Sequence, residues 1–286
     1  MRYRKKRRIG LTGSTGFIGS ALVDAFHRQG DHIIALDDLV RPRLRRQKIR
    51  VPKKLDWVLH FGATKSIEAS FDNPIEMYMR NMNSTMAALD IAVANGARFL
   101  YMSSYVYGKP RYLPLDERHP TYVSNPYMGS KLLGEEMCCH LHQYMNLSTI
   151  ILRGFTFYGP GQDDQQVIPS IINAIRNKKT INLKNANSIR DYLHVADLVR
   201  LVAIIVRSDC SGIGIYNVGG GIPYRNIEVA RIANELGGSP VRINVEDKAR
   251  RNDIHECYAN ISKVKKDFKW EPRIDLLSGL RDCLSA

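Results

Sequence analysis

The chain has 286 residues, 44% hydrophobic and 24% charged, with 42 Lys and Arg against 28 Asp and Glu, for a formal net charge of +14. That length allows one large or two smaller domains with a proper core, and the composition is that of a soluble globular protein. The excess charge is local: residues 1–8 hold six Lys/Arg and residues 41–54 hold eight, with no acid in either, and the rest of the chain balances 28 basic against 28 acidic residues. A basic tail and a basic loop aid solubility or attract anions. With no basic stripe or binding motif, no nucleic-acid partner is expected.

Arg8 to Gly13 reads as a short buried strand running into a glycine turn. Gly13-x-x-Gly16-x-x-Gly19 then opens a helix expected to reach Gln29 and stop at Gly30, a residue type common just past a helix end. His32 to Asp37 is a second apolar run, ending in an acid about twenty residues beyond the glycines. Strand, glycine turn, helix, strand and acid make the dinucleotide-binding arrangement, with a pyrophosphate at the helix N-terminus and the Asp37 carboxylate on the ribose hydroxyls. Residues 38–54 show no convincing helix. Leu55 to Phe61 is another buried strand, followed by Gly62 and Ala63. Pro74 to Asn95 is a long helical pattern closed by Gly96, and Arg98 to Ser104 is the next strand. Strands alternating with helices predict a doubly wound parallel sheet, whose ligands bind beyond the carboxyl ends of the strands, where Ser103 falls.

Asn125-Pro126-Tyr127-Met128-Gly129-Ser130-Lys131 starts a helix, since Pro suits the first helical turn. Tyr127 and Lys131 then share a face, one turn apart. A tyrosine has a reference pKa of about 10, and a cation one turn away is expected to draw it toward neutral pH, where acid–base catalysis works best. Ser148 to Gly154 is a strand, and the Gly/Pro cluster at residues 159–161 marks a second region. The expected division is a Rossmann domain at 1–155, with a later contribution from about 190–217, and a mainly substrate-binding α/β domain at 156–286. Five cysteines without a C-x-x-C pair point to reduced thiols, no metal site and a cytoplasmic location. The basic start precedes no apolar run, and Leu198 to Val206 is too short to span a bilayer, so no membrane insertion is expected.

The glycine loop, Asp37, Ser103, Tyr127 and Lys131 together resemble the extended short-chain dehydrogenase/reductase family, and more narrowly its NAD-dependent nucleotide-sugar epimerases and dehydratases of the UDP-glucose 4-epimerase type. His60 to Ala63, Met102 to Gly108, Leu152 to Gln162, Arg190 to Asp197, Tyr216 to Gly219, Arg250 to Ile254 and Asn260 to Lys263 resemble further family elements, nearly end to end. The resemblance implies Tyr127 as acid/base, Lys131 as its cationic partner and ribose ligand, and Ser103 bonded to the same substrate oxygen. It implies NAD, with NADP left open by Arg41 and Arg43, held by Gly13, Gly16, Phe17, Ile18, Gly19, Asp37, Phe61, Gly62, Ala63, Lys65, Tyr127, Lys131 and Phe155. A nucleotide-diphosphate sugar would be held by Ser104, Thr156, Gln166, Arg190, Arg250 and Asp253. A homodimer through the helices at 74–95 and after Asn125 is also implied.

Three departures stand out. Ser104 and Tyr105 occupy the places of the Asp-Glu pair of 4,6-dehydratases, which sets dehydration aside. Thr156 replaces a usual Asn, and the 38–54 stretch lacks the usual insert with its adenine-contacting aspartate. The expected activity is hydride transfer at C4 with epimerisation. Alternatives are reduction of a 4-keto sugar and a non-catalytic dinucleotide sensor, which would have no need of an activated tyrosine.

Overall fold

The computed structural model describes residues 6–40, 54–65, 67–246 and 254–286. The chain divides into two compact units: the described residues of Met1–Val106, Thr121–Arg153 and Val202–Tyr216, and those of Tyr107–Pro120, Gly154–Leu201 and Asn217–Ala286.

The chain begins β1 (Arg8–Thr12), α1 (Phe17–Arg28), β2 (His32–Ala35), the single turn α2 (Asp37–Val40), β3 (Trp57–His60) and α3 (Ile67–Asp72). It continues through α4 (Pro74–Asn95), β4 (Arg98–Ser104), α5 (Pro126–Met145) and β5 (Thr149–Gly154). Then come β6 (Thr156–Tyr158), α6 (Val167–Arg176), β7 (Ile181–Lys184), β8 (Ile189–His194), α7 (Val195–Arg207) and β9 (Ile213–Val218). The last elements are β10 (Pro223–Arg225), α8 (Asn226–Leu236), β11 (Ile243–Glu246), β12 (Glu256–Cys257), α9 (Ser262–Phe268) and α10 (Leu276–Ser285).

The first unit is built on a six-stranded sheet in the order β2-β1-β3-β4-β5-β9. β1 pairs in parallel with both β2 and β3, and β3 in parallel with β4. The chain therefore leaves β1 for one side of the sheet and later returns on the other, and that reversal opens a crevice beyond the ends of β1 and β3. Strands covered on both faces read as unbroken apolar runs, and β3 (Trp-Val-Leu-His) is buried throughout. The expected Rossmann-type α/β architecture is observed.

Local chemistry fixes the two long helices. α4 starts at Pro74 and ends where Gly96 takes the left-handed φ of 58°. α5 starts at Pro126, with the Asn125 side-chain oxygen accepting from the Met128 N–H at 2.8 Å, and ends at Asn146, also left-handed at φ 55°. These caps satisfy groups that a helix end leaves without partners. Residues 38–40 extend the turn begun at Asp37, where no helix was expected, and residues 41–53 lie outside the described residues.

The second unit holds β10-β8-β12, with β6 also paired to β8, and a parallel β11–β7 ribbon. Its core gathers Ile168, Ile171, Ile172 and Ile175, one face of α6 at helical spacing, with Val229, Ala230 and Ala233 of α8 and Leu276 and Leu280 of α10. Asp191, fully buried on β8, knots this unit by accepting from the backbone N–H groups of Gly220, Gly221 (3.0 Å) and Ala259 (2.9 Å). Among the described residues, no helix is long and apolar enough to cross a membrane.

Asp191→Ala would strand those three donors, and hydrogen bonds to a charged group are worth roughly 1.5–3 kcal/mol each. Urea unfolding is expected to show a loss of about 3 kcal/mol or more. Asp191→Asn, which keeps an acceptor, should lose clearly less, and equal losses would mean the volume matters rather than the hydrogen bonds.

Candidate active site

The glycine loop between β1 and α1 is shaped by its own backbone. Gly13 has φ +74°, and a Cβ there would lie 2.8 Å from the Gly62 nitrogen. At Gly19 a Cβ would collide with the Gly13 carbonyl. Only glycine fits either place, because there is no room and, at Gly13, no comfortable φ for a side chain. α1 begins after Gly16 with no side-chain cap and no acid in its first turn. A positive helix end left open beside a loop too tight for side chains fits the pyrophosphate of a dinucleotide.

Asp37, expected on the ribose, holds the loop as well. Its carboxylate accepts from Gly13 N–H at 2.7 Å, Ser14 N–H at 3.3 Å and the Ser14 hydroxyl at 2.6 Å. A carboxylate has about four lone-pair positions, so acceptor capacity remains for a ribose hydroxyl. Gly13, Asp37, Gly62 and Ala63 line one cavity of about 980 Å³, with Thr64 and Asn81. Phe17 and Ile18 open α1, and Lys65 is exposed just past β3.

Behind the loop runs a buried relay that no sequence motif announced. Thr85 donates to the Asn81 carbonyl at 2.8 Å, so its oxygen accepts from His60 Nε2 at 3.0 Å. His60 Nδ1 is then the acceptor for the Thr12 hydroxyl at 2.7 Å, and the Thr12 oxygen accepts the Gly62 N–H at 3.0 Å. Burial, and then the charge of Lys131, push the His60 pKa down to about 3, so the ring is neutral as the relay requires.

Ser103, Tyr127 and Lys131 all lie in the first unit, Ser103 on β4 and the other two on α5. Lys131 is buried; its Nζ donates to the Met102 carbonyl at 2.7 Å and stands 5.0 Å over the Tyr101 ring. Burial lowers its pKa to about 8, opposed by the negative charge of Glu135. Ser130, beside it, receives the Asn81 amide at 2.9 Å and donates to the Tyr127 carbonyl at 2.8 Å. Tyr127 departs from expectation. Burial, with a smaller contribution from Tyr105, pushes its phenol above the ordinary tyrosine range, and Lys131 is not among the groups that move it. Ser103 also differs, because its hydroxyl donates to Glu135 Oε1 at 2.5 Å.

Glu135 and its partner Arg153 were not singled out from the sequence. Arg153 Nη2 lies 2.6 Å from Glu135 Oε2, and both side chains are buried. Two signals pointed to them. Glu135 extends the Tyr127/Lys131 spacing by one more turn, and an arginine inside an apolar strand needs an acidic partner.

Of the residues expected to hold substrate, Ser104 is buried at the end of β4 in the first unit, while Thr156, Gln166 and Arg190 belong to the second unit. Thr156 starts β6 and Gln166 precedes α6. Arg190 Nη1 donates to the carbonyls of Ile189 at 2.9 Å and His255 at 3.2 Å. Phe155 is buried, its N–H on the Val218 carbonyl at 3.0 Å. Arg250 and Asp253, like Arg41 and Arg43, lie outside the described residues. Among the described residues no His/Cys/Asp/Glu cluster could hold a metal.

Comparison with known proteins agrees with this geometry. The NAD dependent epimerase/dehydratase family matches residues 9–219, and the chain belongs to that family. It is 31% identical over 243 residues to the UDP-glucose 4-epimerase of Homo sapiens, covering 77% of this chain and 70% of that protein. Among solved structures, the UDP-glucose 4-epimerase of Bifidobacterium longum in complex with NAD+ and UDP matches at TM-score 0.84 and 26% identity, over 97% of each chain. RMD from Pseudomonas aeruginosa, complexed with NADPH, matches at TM-score 0.84 and 25% identity, over 98% of each. The chain is thus an enzyme of the NAD(P)-dependent nucleotide-sugar epimerase, dehydratase and reductase group, with NAD as its class of cofactor.

Lys131 permits a pH test. Its folded pKa of about 8 lies below its ordinary 10.5. Across that window the unfolded chain holds more protons than the folded one, so the group's contribution to stability rises with pH and is least favourable below it. Lys131→Met is expected to unfold at higher urea than wild type at pH 7, with the gap closing toward pH 10. A lower midpoint for the variant at pH 7 would mean that the bond to Met102 outweighs desolvation.

Proposed function

We propose that the protein is an NAD-dependent 4-epimerase of a nucleotide-diphosphate hexose, acting through a 4-keto intermediate. The observation that carries this reading is the set of Ser103, Tyr127 and Lys131 with no carboxylic acid following Ser103, since Ser104 and Tyr105 come next. Water elimination needs an acid to protonate a departing hydroxyl, whereas epimerisation moves only a proton and a hydride. The 31% identity to a UDP-glucose 4-epimerase and the likeness to a structure holding NAD+ and UDP support a UDP-hexose as substrate.

In this reading Tyr127 takes the C4 hydroxyl proton as the ketone forms and returns it when the alcohol is restored. Lys131, cationic below about pH 8, stabilises the phenolate and binds the nicotinamide ribose. Ser103 bonds the same substrate oxygen. NAD, when bound, supplies the hydride acceptor and donor and a positive ring charge beside the phenol. Gly13, Gly16, Phe17, Ile18 and Gly19 cradle its pyrophosphate, Asp37 takes the ribose, and Phe61, Gly62, Ala63, Lys65 and Phe155 complete its site. Ser104, Thr156, Gln166 and Asp253 contact the nucleotide sugar, while Arg190 and Arg250 clamp its diphosphate by charge-assisted bonds. Exposed Met79 and Met86 on α4 and Leu133 on α5 support a homodimer through these helices. Light scattering at micromolar protein that found only monomer would remove that part of the proposal.

Tyr127→Phe is expected to leave NAD binding nearly intact and lower kcat by roughly 10²-fold or more, the scale of acid–base catalysis. Near-wild-type turnover would sink the assignment. The match to RMD supports a second reading, reduction of a 4-keto sugar. The two differ in what the cofactor does between turnovers. An epimerase retains it, and a reductase consumes one reduced equivalent per product. UDP-glucose and UDP-galactose are expected to interconvert at catalytic yield without added reductant. Turnover only of a 4-keto sugar, with stoichiometric NADH or NADPH, would replace the epimerase by the reductase.

A further inference from the structure

We propose that Glu135 is a positioning residue of the catalytic set, serving as the buried counter-charge of Lys131 and fixing the Ser103 hydroxyl as a hydrogen-bond acceptor toward the site. The first half rests on geometry alone, and the second rests on the reading of Ser103 given above.

Tyr127, Lys131 and Glu135 follow one another at four-residue spacing on α5 and so share a face. Glu135 is 2% exposed and Lys131 3%, so the two charges, one helical turn apart, lie in a region that water does not screen. The other ionisable groups facing Lys131 carry no compensating charge. His60 on β3, Tyr101 on β4 and Tyr127 and Cys138 on α5 are all held neutral by burial. Glu135 pairs with Arg153 on β5, whose Nε lies 3.1 Å from both carboxylate oxygens and whose Nη2 lies 2.6 Å from Oε2.

The same carboxylate takes the one proton of Ser103, at 2.5 Å. A serine hydroxyl has a single donor and two lone pairs, so what Ser103 still offers is acceptor capacity. An acceptor suits a substrate alcohol, which has a proton to give, and does not suit a ketone oxygen. The C4 hydroxyl has one proton, so Ser103 holds it in the resting alcohol and Tyr127 takes it as the ketone forms, which makes the Ser103 contact one of substrate binding.

The test reads the Lys131 titration directly by NMR of isotopically labelled lysine, assigned with Lys131→Met. It compares NAD-saturated wild type with Glu135→Gln and with the double replacement Glu135→Leu/Arg153→Met. The double variant removes both buried charges, a change that proteins often tolerate. Loss of an opposite charge at this range should lower the Lys131 midpoint by roughly one pH unit or more in Glu135→Gln, and the double variant, which also loses the like charge of Arg153, should fall between Glu135→Gln and wild type. Glu135→Asp, which keeps the charge but shortens the reach to Ser103, should hold the wild-type midpoint and raise KM for UDP-galactose about tenfold without lowering kcat, within the scale of a lost hydrogen bond to bound substrate.

An unchanged midpoint in a folded Glu135→Gln or double variant overturns the counter-charge. Failure of both to fold also overturns it, because the ion pair would then be a structural prop. Wild-type KM in Glu135→Asp overturns the Ser103 half. A wild-type protein inactive on UDP-hexoses would count against the epimerase reading and leave the NMR result standing.

Discussion

Lys131 carries its charge to a place that water does not reach, and much of the first unit can be understood as the solvation of that one ammonium. An isolated charge in such surroundings is costly, and the group would neutralise unless the protein replaced its water. The replacements are specific. The carbonyl of Met102 at the end of β4 takes a proton directly, and the Tyr101 ring offers its negative face. Glu135 supplies the opposite sign one turn along the helix. His60, which could have added a further cation, is silenced, since burial keeps it neutral at any physiological pH. What remains is a lysine whose pKa of about 8 sits close to working pH.

Much of this was legible in the sequence because its signals are local. The glycine spacing before α1, the acid after β2, and the Pro and Gly or Asn at the ends of α4 and α5 are short-range devices. The turns and caps they form are where the structure has them. The four-residue step from Tyr127 to Lys131 is likewise local and placed both on one helix face. The contacts that decide the chemistry are long-range. Glu135 meets Ser103 across 32 residues of chain and Arg153 across 18, and Thr12 reaches His60 across 48. No periodicity encodes such pairings.

Two sequence-based expectations shifted for a related reason. Proximity of Lys131 argued for a depressed Tyr127 phenol, yet proximity says nothing about burial, and burial is the larger effect in the protein by itself. Ser103 was expected to look toward substrate, but a hydroxyl points where its strongest acceptor lies, and that acceptor is a carboxylate the sequence did not flag. Asp37 lies between the two cases. It follows β2 as the sequence has it, and its carboxylate braces the glycine loop it faces.

The uncapped start of α1 has a thermodynamic corollary. Backbone N–H groups that no side chain covers are satisfied by solvent until an anion arrives, so the loop and helix end are held most firmly in the liganded protein. Folding and nucleotide occupancy are then linked by mass action, and a ligand present at a hundredfold excess over its dissociation constant adds about 2.7 kcal/mol to the folded state. For a chain of this size such an increment is a sizeable part of the whole stability. The dinucleotide pool in which the protein folds would thereby govern how long the molecule survives as well as how fast it turns over.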